Sequence, residues 1–239
     1  MTSSKTKIAI IITAAGSSTR IGSNIKKEYL PFKNGTVLSA SVQTFINTCK
    51  NQFIITDFII TCPPNGKSEC QKALQSSSQQ ENDNFQNILQ VFQIVEGDKT
   101  RQKSVYNAMC AVKNQPQIVL IHDGARPFVS EKIIIEGILA AKNFGASVPG
   151  ITPTDTQKQI DKDGFIINHL ERASLVAVQT PQCFNFQKLL EAHKKSHLEE
   201  KEYTDDTEIW GKYCGKVKVI PGESQNIKIT YLKDLESLK

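Results

Sequence analysis

The 239-residue chain has no apolar run long enough to cross a bilayer, which argues against an integral membrane helix. The short apolar run at residues 8–12 soon gives way to polar residues, so we do not expect a secretory signal. Six cysteines are scattered without a C-x-x-C pair or zinc-like spacing to the four histidines. We therefore expect reduced thiols and a cytoplasmic protein.

A concentration of charge of one sign is also missing. The formal net charge is +5, and the basic residues are spread along the chain. Nucleic-acid-binding proteins usually present a basic face on a recognisable module, and the sequence shows neither. We expect no nucleic-acid or membrane partner, and the mild positive charge fits a small anionic substrate. No shift in composition requires a second domain, so we expect one α/β domain over residues 1–239.

The two common glycine fingerprints of nucleotide-binding loops are absent as well. The first loop, Ala14–Gly22, lacks the three spaced glycines of the Rossmann pattern and the Gly-Lys-Ser/Thr end of the P-loop. Small residues after a buried strand nevertheless let backbone N–H groups approach phosphate oxygens. Arg20, Lys26 and Lys27 add cations at the same place. The loop predicts a nucleotide site of a third kind, and a plain connection is the alternative.

Short apolar runs alternate with helical patterns along the chain. The predicted strands are Ile8–Thr13, Phe58–Cys62, Val91–Val95, Ile118–His122, Ala146–Val148, Leu175–Val178 and Lys216–Ile220. The predicted helices begin behind the candidate N-caps Thr36, Thr100, Ser130 and Asn185. Several of the strands are apolar without alternation, which is typical of strands covered on both faces. This order predicts a doubly wound, mostly parallel sheet with ligands at the carboxyl ends of its strands.

Residues 151–171 break this alternation. Asp161-Lys162-Asp163-Gly164 is a hairpin turn signal between two segments without helical periodicity. We expect a protruding antiparallel arm that packs against a second copy of the chain, because hairpin edges and exposed apolar side chains need cover. A plain surface hairpin is the alternative.

Charged residues follow several of the predicted strands. Asp123 is placed to hold a hard cation such as Mg²⁺, although a turn-capping Asp paired with Arg126 is the simpler interpretation. His122 continues a buried strand and is expected to be structural. Lys228 alternates with its isoleucine neighbours as in a half-buried strand, so it faces either a cleft or solvent. Asp205-Asp206 indicates a helix start, to which we assign no chemistry.

Taken in chain order, these motifs resemble the 2-C-methyl-D-erythritol 4-phosphate cytidylyltransferases over nearly the whole chain. Cytidylyltransferases that act on ribitol 5-phosphate share much of the pattern, and Ala15 and Tyr29 favour the methylerythritol enzymes. The most specific blocks are His122–Phe128, Thr180-Pro181-Gln182 and Asn226–Thr230.

The resemblance implies a Rossmann-like nucleotidyltransferase that joins CTP to methylerythritol phosphate with Mg²⁺ and works as a homodimer. By the same resemblance, the catalytic residues would be Arg20, Lys27 and Lys228, and Asp123 would bind the metal or the ribose. The nucleotide-binding residues would be Ala14, Ala15, Gly16, Gly97, Asp98 and Ser104. The substrate-binding residues would be Arg126, Thr156, Arg172 and Thr180, with Thr156 and Arg172 acting on the partner's site.

Three positions depart from the family pattern. Lys26 replaces a usual Pro, Ser18 replaces a frequent Gly, and Asp98 occupies the second position of a usual Gly-Gly pair. The last bears on base recognition, because a glycine there lets the backbone approach the base. Two other classes of protein are weighed against this resemblance, a dinucleotide-dependent oxidoreductase and a non-catalytic nucleotide-binding protein.

Overall fold

The apolar run near the start of the chain forms the middle strand of the sheet. In the computed structural model, which describes residues 4–16, 26–75, 89–231 and 234, this run is β1 (Lys7–Thr13). β1 pairs in parallel with β4 (Ile54–Cys62) on one side and with β6 (Ile118–Asp123) on the other. The carboxyl ends of the three strands therefore meet at one edge of the sheet.

The sheet widens in parallel on one side and becomes mixed on the other. β5 (Phe92–Glu96) pairs in parallel with β4. β11 (Gln182–Asn185) runs antiparallel between β6 and β7 (Ala146–Ile151). β7 also pairs with β10 (Ala177–Val178), antiparallel, and with β12 (Lys218–Pro221), in parallel. The eight-stranded sheet has the order β10-β7-β11-β6-β1-β4-β5, with β12 added against β7.

The other described elements surround this sheet. The helices are α1 (Val37–Cys49), α2 (Lys67–Gln75), α3 (Arg101–Cys110), α4 (Glu131–Phe144), α5 (Phe186–Leu198) and α6 (Asp206–Tyr213). Two small antiparallel pairs are β2 (Pro31–Phe32) with β3 (Gly35–Thr36), and β8 (Lys158–Ile160) with β9 (Ile166–His169). Single 3₁₀ turns cover Lys27–Tyr29, Leu89–Val91 and Arg172–Ser174.

Side chains of β1 alternate between two hydrophobic layers, because successive residues of a strand point to opposite faces. Ile8, Ile10 and Ile12 pack in a layer with α1, α2 and α4. Ala9 and Ile11 pack in a second layer with α3, α5 and α6. Helices thus cover both faces of a mostly parallel sheet, which confirms the predicted doubly wound α/β class.

The four predicted N-caps are confirmed. The side chains of Thr36, Thr100, Ser130 and Asn185 each accept a hydrogen bond from the backbone N–H three residues further on. Asp205 caps α6 in the same way, as its position before a helical pattern predicts. Each cap satisfies a donor that the first turn leaves without a partner.

Two elements are not predicted by the sequence. α2 buries only three side chains, so its apolar pattern is weak. β11 is four residues long and begins with Gln182 in a polar motif, and it is a central strand only because β6 and β7 flank it. The predicted strand at 175–178 shortens to Ala177–Val178, and the polar stretch 76–87 lies outside the described residues. Within the described ranges, no helix is long and apolar enough to cross a membrane.

The arm, residues 151–171, leaves the main sheet as predicted. β8 and β9 pair in a separate two-stranded sheet, and the chain returns to the main sheet at β10. The turn between them contains Gly164 with φ +89°, a left-handed conformation that favours glycine. Asp161 Oδ1 accepts the backbone N–H groups of Asp163 and Phe165. Large apolar side chains of the arm are exposed, namely Ile160, Phe165, Ile166 and Ile167.

The core makes a first prediction about stability. Phe45 of α1 is fully buried, whereas Phe144 at the end of α4 is 60% exposed. Phe45→Ala should lower the free energy of unfolding by about 3–5 kcal/mol, since it removes a large buried side chain and leaves a cavity. The matched Phe144→Ala should cost under about 1 kcal/mol, mainly the contact with Lys218. Urea unfolding measures both, and equal losses would contradict the packing described above.

Candidate active site at the carboxyl edge of the sheet

A cleft of about 650 Å³ opens at the carboxyl ends of β1, β4 and β6. In a doubly wound sheet this edge is where ligands bind. Seven of the residues singled out in the sequence line it: Ala15, Gly16, Lys27, Asp98, Ser104, Asp123 and Lys228. The structure thus gathers parts of the chain that are up to two hundred residues apart.

Asp123, the last residue of β6, is the centre of charge in this cleft. Its Oδ2 lies 2.7 Å from Lys228 Nζ and 3.7 Å from Arg126 Nε, and its Oδ1 lies 3.6 Å from Arg101 Nε. Burial alone would raise the pKa of this carboxyl group, but the three cations lower it well below its ordinary value. Asp123 is therefore ionised at neutral pH and available as an anionic ligand.

The backbone around Asp123 is fixed by buried hydrogen bonds. Thr180 Oγ1 accepts the Asp123 N–H at 3.1 Å and lies 3.0 Å from His122 Nδ1. His122 Nε2 lies 3.1 Å from the Arg126 carbonyl oxygen, to which it must donate. Burial lowers the pKa of His122 to about 4, so the ring is neutral and Nδ1 accepts from Thr180. His122 is thus a structural residue, as expected.

Lys228 reaches the cleft from an extended segment, residues 224–230, and not from the predicted strand. In place of strand pairing, the segment is held by separate hydrogen bonds. Ile229 N–H donates to the Ala125 carbonyl at 2.9 Å, and Asn226 Nδ2 donates to the Thr180 carbonyl at 2.9 Å. Ile229 is fully buried, which turns its neighbour Lys228 towards Asp123. The prediction of a strand is wrong here, but the lysine does face the cleft.

The first loop supplies further cations. Lys27 lies in the 3₁₀ turn Lys27–Tyr29 and lines the cleft. Lys26 donates to the Gly16 carbonyl and lies 3.7 Å from Glu28 Oε2, so it ties the two described ends of the loop together. Arg20 lies outside the described residues, and the structure says nothing of its position.

Gly97 and Ser104 shape the wall opposite the first loop. The Gly97 N–H donates to the Cys62 carbonyl at 2.8 Å, which joins this loop to the end of β4. A Cβ at Gly97 would collide with the Cβ of Ala15 and lie 2.6 Å from Ser104 Oγ. The site therefore requires glycine at position 97 for close approach of two loops.

Asp98, which departs from the family pattern, is folded back onto its own loop. Its N–H donates to Ser104 Oγ at 2.9 Å, and its Oδ1 accepts the Lys99 N–H at 2.6 Å. The Ser104 hydroxyl lies 2.9 Å from the Thr100 carbonyl, to which it can donate. These bonds hold the carboxylate close to the backbone of this loop, and they fix the loop's shape.

The four predicted substrate-binding residues fall into two groups. Arg126 and Thr180 lie beside Asp123, and Arg126 Nη1 donates to the Asn226 carbonyl at 2.7 Å. Thr156 and Arg172 are exposed residues of the arm region, and Arg172 Nη1 donates to the Thr154 carbonyl at 2.7 Å. Neither Thr156 nor Arg172 lines the cleft of its own chain.

Sequence reasoning assigned no role to Arg101 or Asp206. Arg101 lines the cleft, and its Nη1 lies 2.6 Å from Oδ2 of the fully buried Asp206. The signal that could have indicated Arg101 is its place in the Gly97–Val105 motif, behind a helix cap. Asp206 offered no such signal, because an Asp in the first turn of a helix is ordinary capping chemistry.

The donor set of the cleft fits a magnesium ion that arrives with a nucleotide. Within the part of the chain that the structure describes, no three His, Cys, Asp or Glu side chains gather as a metal-binding group. Asp123 is a single ionised carboxylate, and Mg²⁺ commonly uses one or two carboxylates together with phosphate oxygens and water. A site of this kind is completed by the ligand.

Comparison with known proteins identifies the family. A family model described as IspD: 2-C-methyl-D-erythritol 4-phosphate cytidylyltransferase matches residues 8–238. A cytidylyltransferase of that name from Clostridium botulinum (strain 657 / Type Ba4) is 38% identical over 229 residues, which cover 96% of this chain and 94% of the relative. One from Clostridium novyi (strain NT) is 37% identical over 235 residues, with the same coverage.

Solved structures agree with this. A 4-diphosphocytidyl-2C-methyl-D-erythritol synthase from Anaerococcus prevotii DSM 20548 superposes with a TM-score of 0.79 at 27% identity, covering 97% of this chain and 94% of that one. A 2-C-methyl-D-erythritol 4-phosphate cytidylyltransferase from Thermus thermophilus gives 0.73 at 26% identity, covering 97% and 96%. The fold and its cation-lined cleft are those of a Rossmann-like nucleotidyltransferase. Within that class, the chain belongs to the 2-C-methyl-D-erythritol 4-phosphate cytidylyltransferase family.

The tight approach at Gly97 makes a second prediction. Gly97→Ala should weaken nucleotide binding by about tenfold or more, because the added methyl group must push apart the two loops that form the walls of the cleft. Gly211→Ala in α6 is the control, since a Cβ there has no neighbour within 4 Å. Isothermal titration with CTP gives both affinities. Unchanged affinity in Gly97→Ala would show that the loops can separate without cost to the site.

Proposed function

We propose that the protein transfers the cytidylyl group of CTP to 2-C-methyl-D-erythritol 4-phosphate, in the synthesis of isoprenoid precursors. An oxygen of the acceptor phosphate attacks the α-phosphorus of CTP in line, the bond to the bridging β-phosphate oxygen breaks, and pyrophosphate leaves. The observation that carries this proposal is the convergence of Lys228, Arg126 and Arg101 on Asp123 in the cleft of a family member.

Fixed cations answer the main obstacle to this reaction. Both substrates are multiply anionic, and two unit charges about 4 Å apart repel by roughly 4 kcal/mol at an effective dielectric near 20. Phosphoryl transfer needs little covalent help from a protein beyond positioning and charge stabilisation. Lys27 and Arg20 would stabilise charge that develops at the α-phosphorus and on pyrophosphate. Lys228 would hold the reacting phosphates.

The nucleotide would lie against the first loop and the loop after β5. Backbone groups of Ala14, Ala15 and Gly16 would approach the phosphates, and the Gly97–Ser104 loop would contact the cytidine. Asp123 would hold Mg²⁺ or the ribose. A bound Mg²⁺ supplies charge neutralisation and Lewis acidity at the phosphates.

We further propose a homodimer in which the arm of one protomer completes the site of the other. The exposed apolar side chains of the arm support this, as does the position of Thr156 and Arg172 away from the cleft of their own chain. Arg126 and Thr180 would meet the acceptor from the same chain as Asp123. The 239 residues would form one domain and act in the cytoplasm, where the six free thiols stay reduced.

Mixed dimers test the shared site. Lys27→Ala and Arg172→Ala should each lose turnover, by about a hundred- to a thousandfold for a preorganised charge. Mixing and subunit exchange should restore activity at about a quarter of the sites, because about half of the dimers are mixed and each of those holds one intact site. No recovery, with exchange shown by differently tagged protomers, would place both residues in one chain's site. Lys33→Ala is the control, since Lys33 is exposed and does not line the cleft.

Acceptor choice tests the reaction itself. Pyrophosphate release should require CTP together with methylerythritol phosphate, and kcat/KM should be well above that for ribitol 5-phosphate. A single methyl group in a pocket is worth only about 1–3 kcal/mol, so most of the discrimination should come from hydroxyl groups that meet buried polar partners. Competition of the two alcohols, with analysis of the products, gives the ratio directly. A dominant ribitol product would move the protein to the related activity, and no release with either would indicate a non-catalytic nucleotide-binding protein.

A further inference from the structure

Arg101 lies between two carboxylates that come from different parts of the fold. Its Nη1 is 2.6 Å from Asp206 Oδ2, within hydrogen-bond distance, whereas its Nε is 3.6 Å from Asp123 Oδ1. The side chain is 27% exposed and lines the cleft. Arg101 is therefore tied most closely to the acid behind it and still presents part of its surface to a ligand.

Asp206 itself is out of reach of any ligand in the cleft. It is fully buried at the first turn of α6, and both of its oxygens are used. Oδ2 meets Arg101, and Oδ1 lies 3.0 Å from His193 Nε2, which must donate because Asp206 is a carboxylate. Burial favours the neutral acid, but Arg101 and His193 together lower the pKa of Asp206 below its ordinary value. A buried charge without such partners would be strongly destabilising.

The position of Asp206 is fixed relative to the strand that carries Asp123. Its backbone N–H donates to Gln182 Oε1 at 3.2 Å. Gln182 belongs to β11 and pairs with Ile121 of β6, two residues before Asp123. Asp206 is thus attached to the sheet next to the cleft, and Arg101 inherits that position through a charge-assisted hydrogen bond.

A second carboxylate has a clear use in a site of this kind. Asp123 already has Lys228 at 2.7 Å and Arg126 at 3.7 Å, and a divalent cation or a nucleotide would change these pairings. An arginine held by Asp123 alone would then be displaced or repelled. The bond from Arg101 to Asp206 does not involve Asp123, so it persists while Asp123 exchanges partners.

We propose that Asp206 is a positioning residue that holds the Arg101 guanidinium at the wall of the cleft, where Arg101 contacts the phosphates or ribose of a bound nucleotide. The inference rests on the proposed binding of a nucleotide in this cleft. It does not depend on which acceptor is used or on turnover.

A double-mutant cycle on CTP binding tests this. Arg101→Gln should raise the Kd for CTP, measured by calorimetry with Mg²⁺ present, by about 10- to 100-fold, the range for a hydrogen bond to a charged group. Asp206→Asn should raise it by a similar factor, although Asp206 touches no ligand. The double variant should bind no worse than Arg101→Gln alone, because Asp206 acts only through Arg101.

The same cycle separates positioning from general support of the fold. Asp205→Asn is the matched control: it alters the neighbouring carboxylate, retains a good N-cap and should leave the Kd unchanged. Should Asp206→Asn alone fail to fold, as shown by thermal unfolding, the double variant replaces both buried charges and is compared with Arg101→Gln. Multiplying effects in the cycle, or a double variant that binds more weakly than Arg101→Gln, would overturn the inference. Wild-type protein that binds CTP but releases no pyrophosphate would contradict only the proposed reaction, whereas wild-type protein that binds no CTP would contradict both.

Discussion

The ionised carboxylate of Asp123 is the constraint on which the cleft depends. Cations from three segments that are distant in sequence meet at this one group, namely Arg101, Arg126 and Lys228. Partly buried like charges so close together would repel one another if the carboxylate were absent. Buried ion pairs add little to stability, because the loss of hydration offsets much of the attraction. Their value here is to keep an excess of positive charge in place before an anionic ligand arrives.

Much of the surrounding structure serves to hold that group. β6 places Asp123 at the carboxyl edge of the sheet, Thr180 accepts its N–H, and neutral His122 links Thr180 to the carbonyl of Arg126. Protonating His122 would place a buried charge beside two cations, so the ring stays neutral well below pH 7. These contacts connect residues of β6 to the loop before β11, which explains why an antiparallel strand is inserted beside the active edge.

The sequence predicts the elements whose pattern is local and misses those that depend on neighbours. β1 and β6 are continuous apolar runs, and the helix caps Thr36 and Ser130 act within three residues, so both kinds of signal can be found without the fold. β11 is defined by pairing on both sides, and nothing in its four residues indicates this. The antiparallel turn of the arm is predictable because Asp161–Gly164 has its own turn chemistry.

The same distinction applies to the site. Strand ends followed by Asp123 or by small residues can be recognised, since a doubly wound sheet places such positions together. The roles proposed for these residues come from the family resemblance and from the charge pattern. The pairing of Arg101 with Asp206 spans 105 positions, and no local pattern at Asp206 distinguishes it from an ordinary helix start. Lys228 was placed correctly by its isoleucine neighbours for a reason that differs from the one observed, because Ile229 is buried by a loop contact and not in a strand.

The late position of Lys228 has a consequence for synthesis of the protein on the ribosome. Every described strand of the main sheet is complete by Pro221, whereas the segment that brings Lys228 to Asp123 comes after it. A nascent chain can therefore form its whole sheet while its cleft still lacks one of the three cations. A premature stop codon between Pro221 and Lys228 would yield a folded protein with an unbalanced Asp123. Quality control that recognises exposed hydrophobic surface would have little reason to remove such a product.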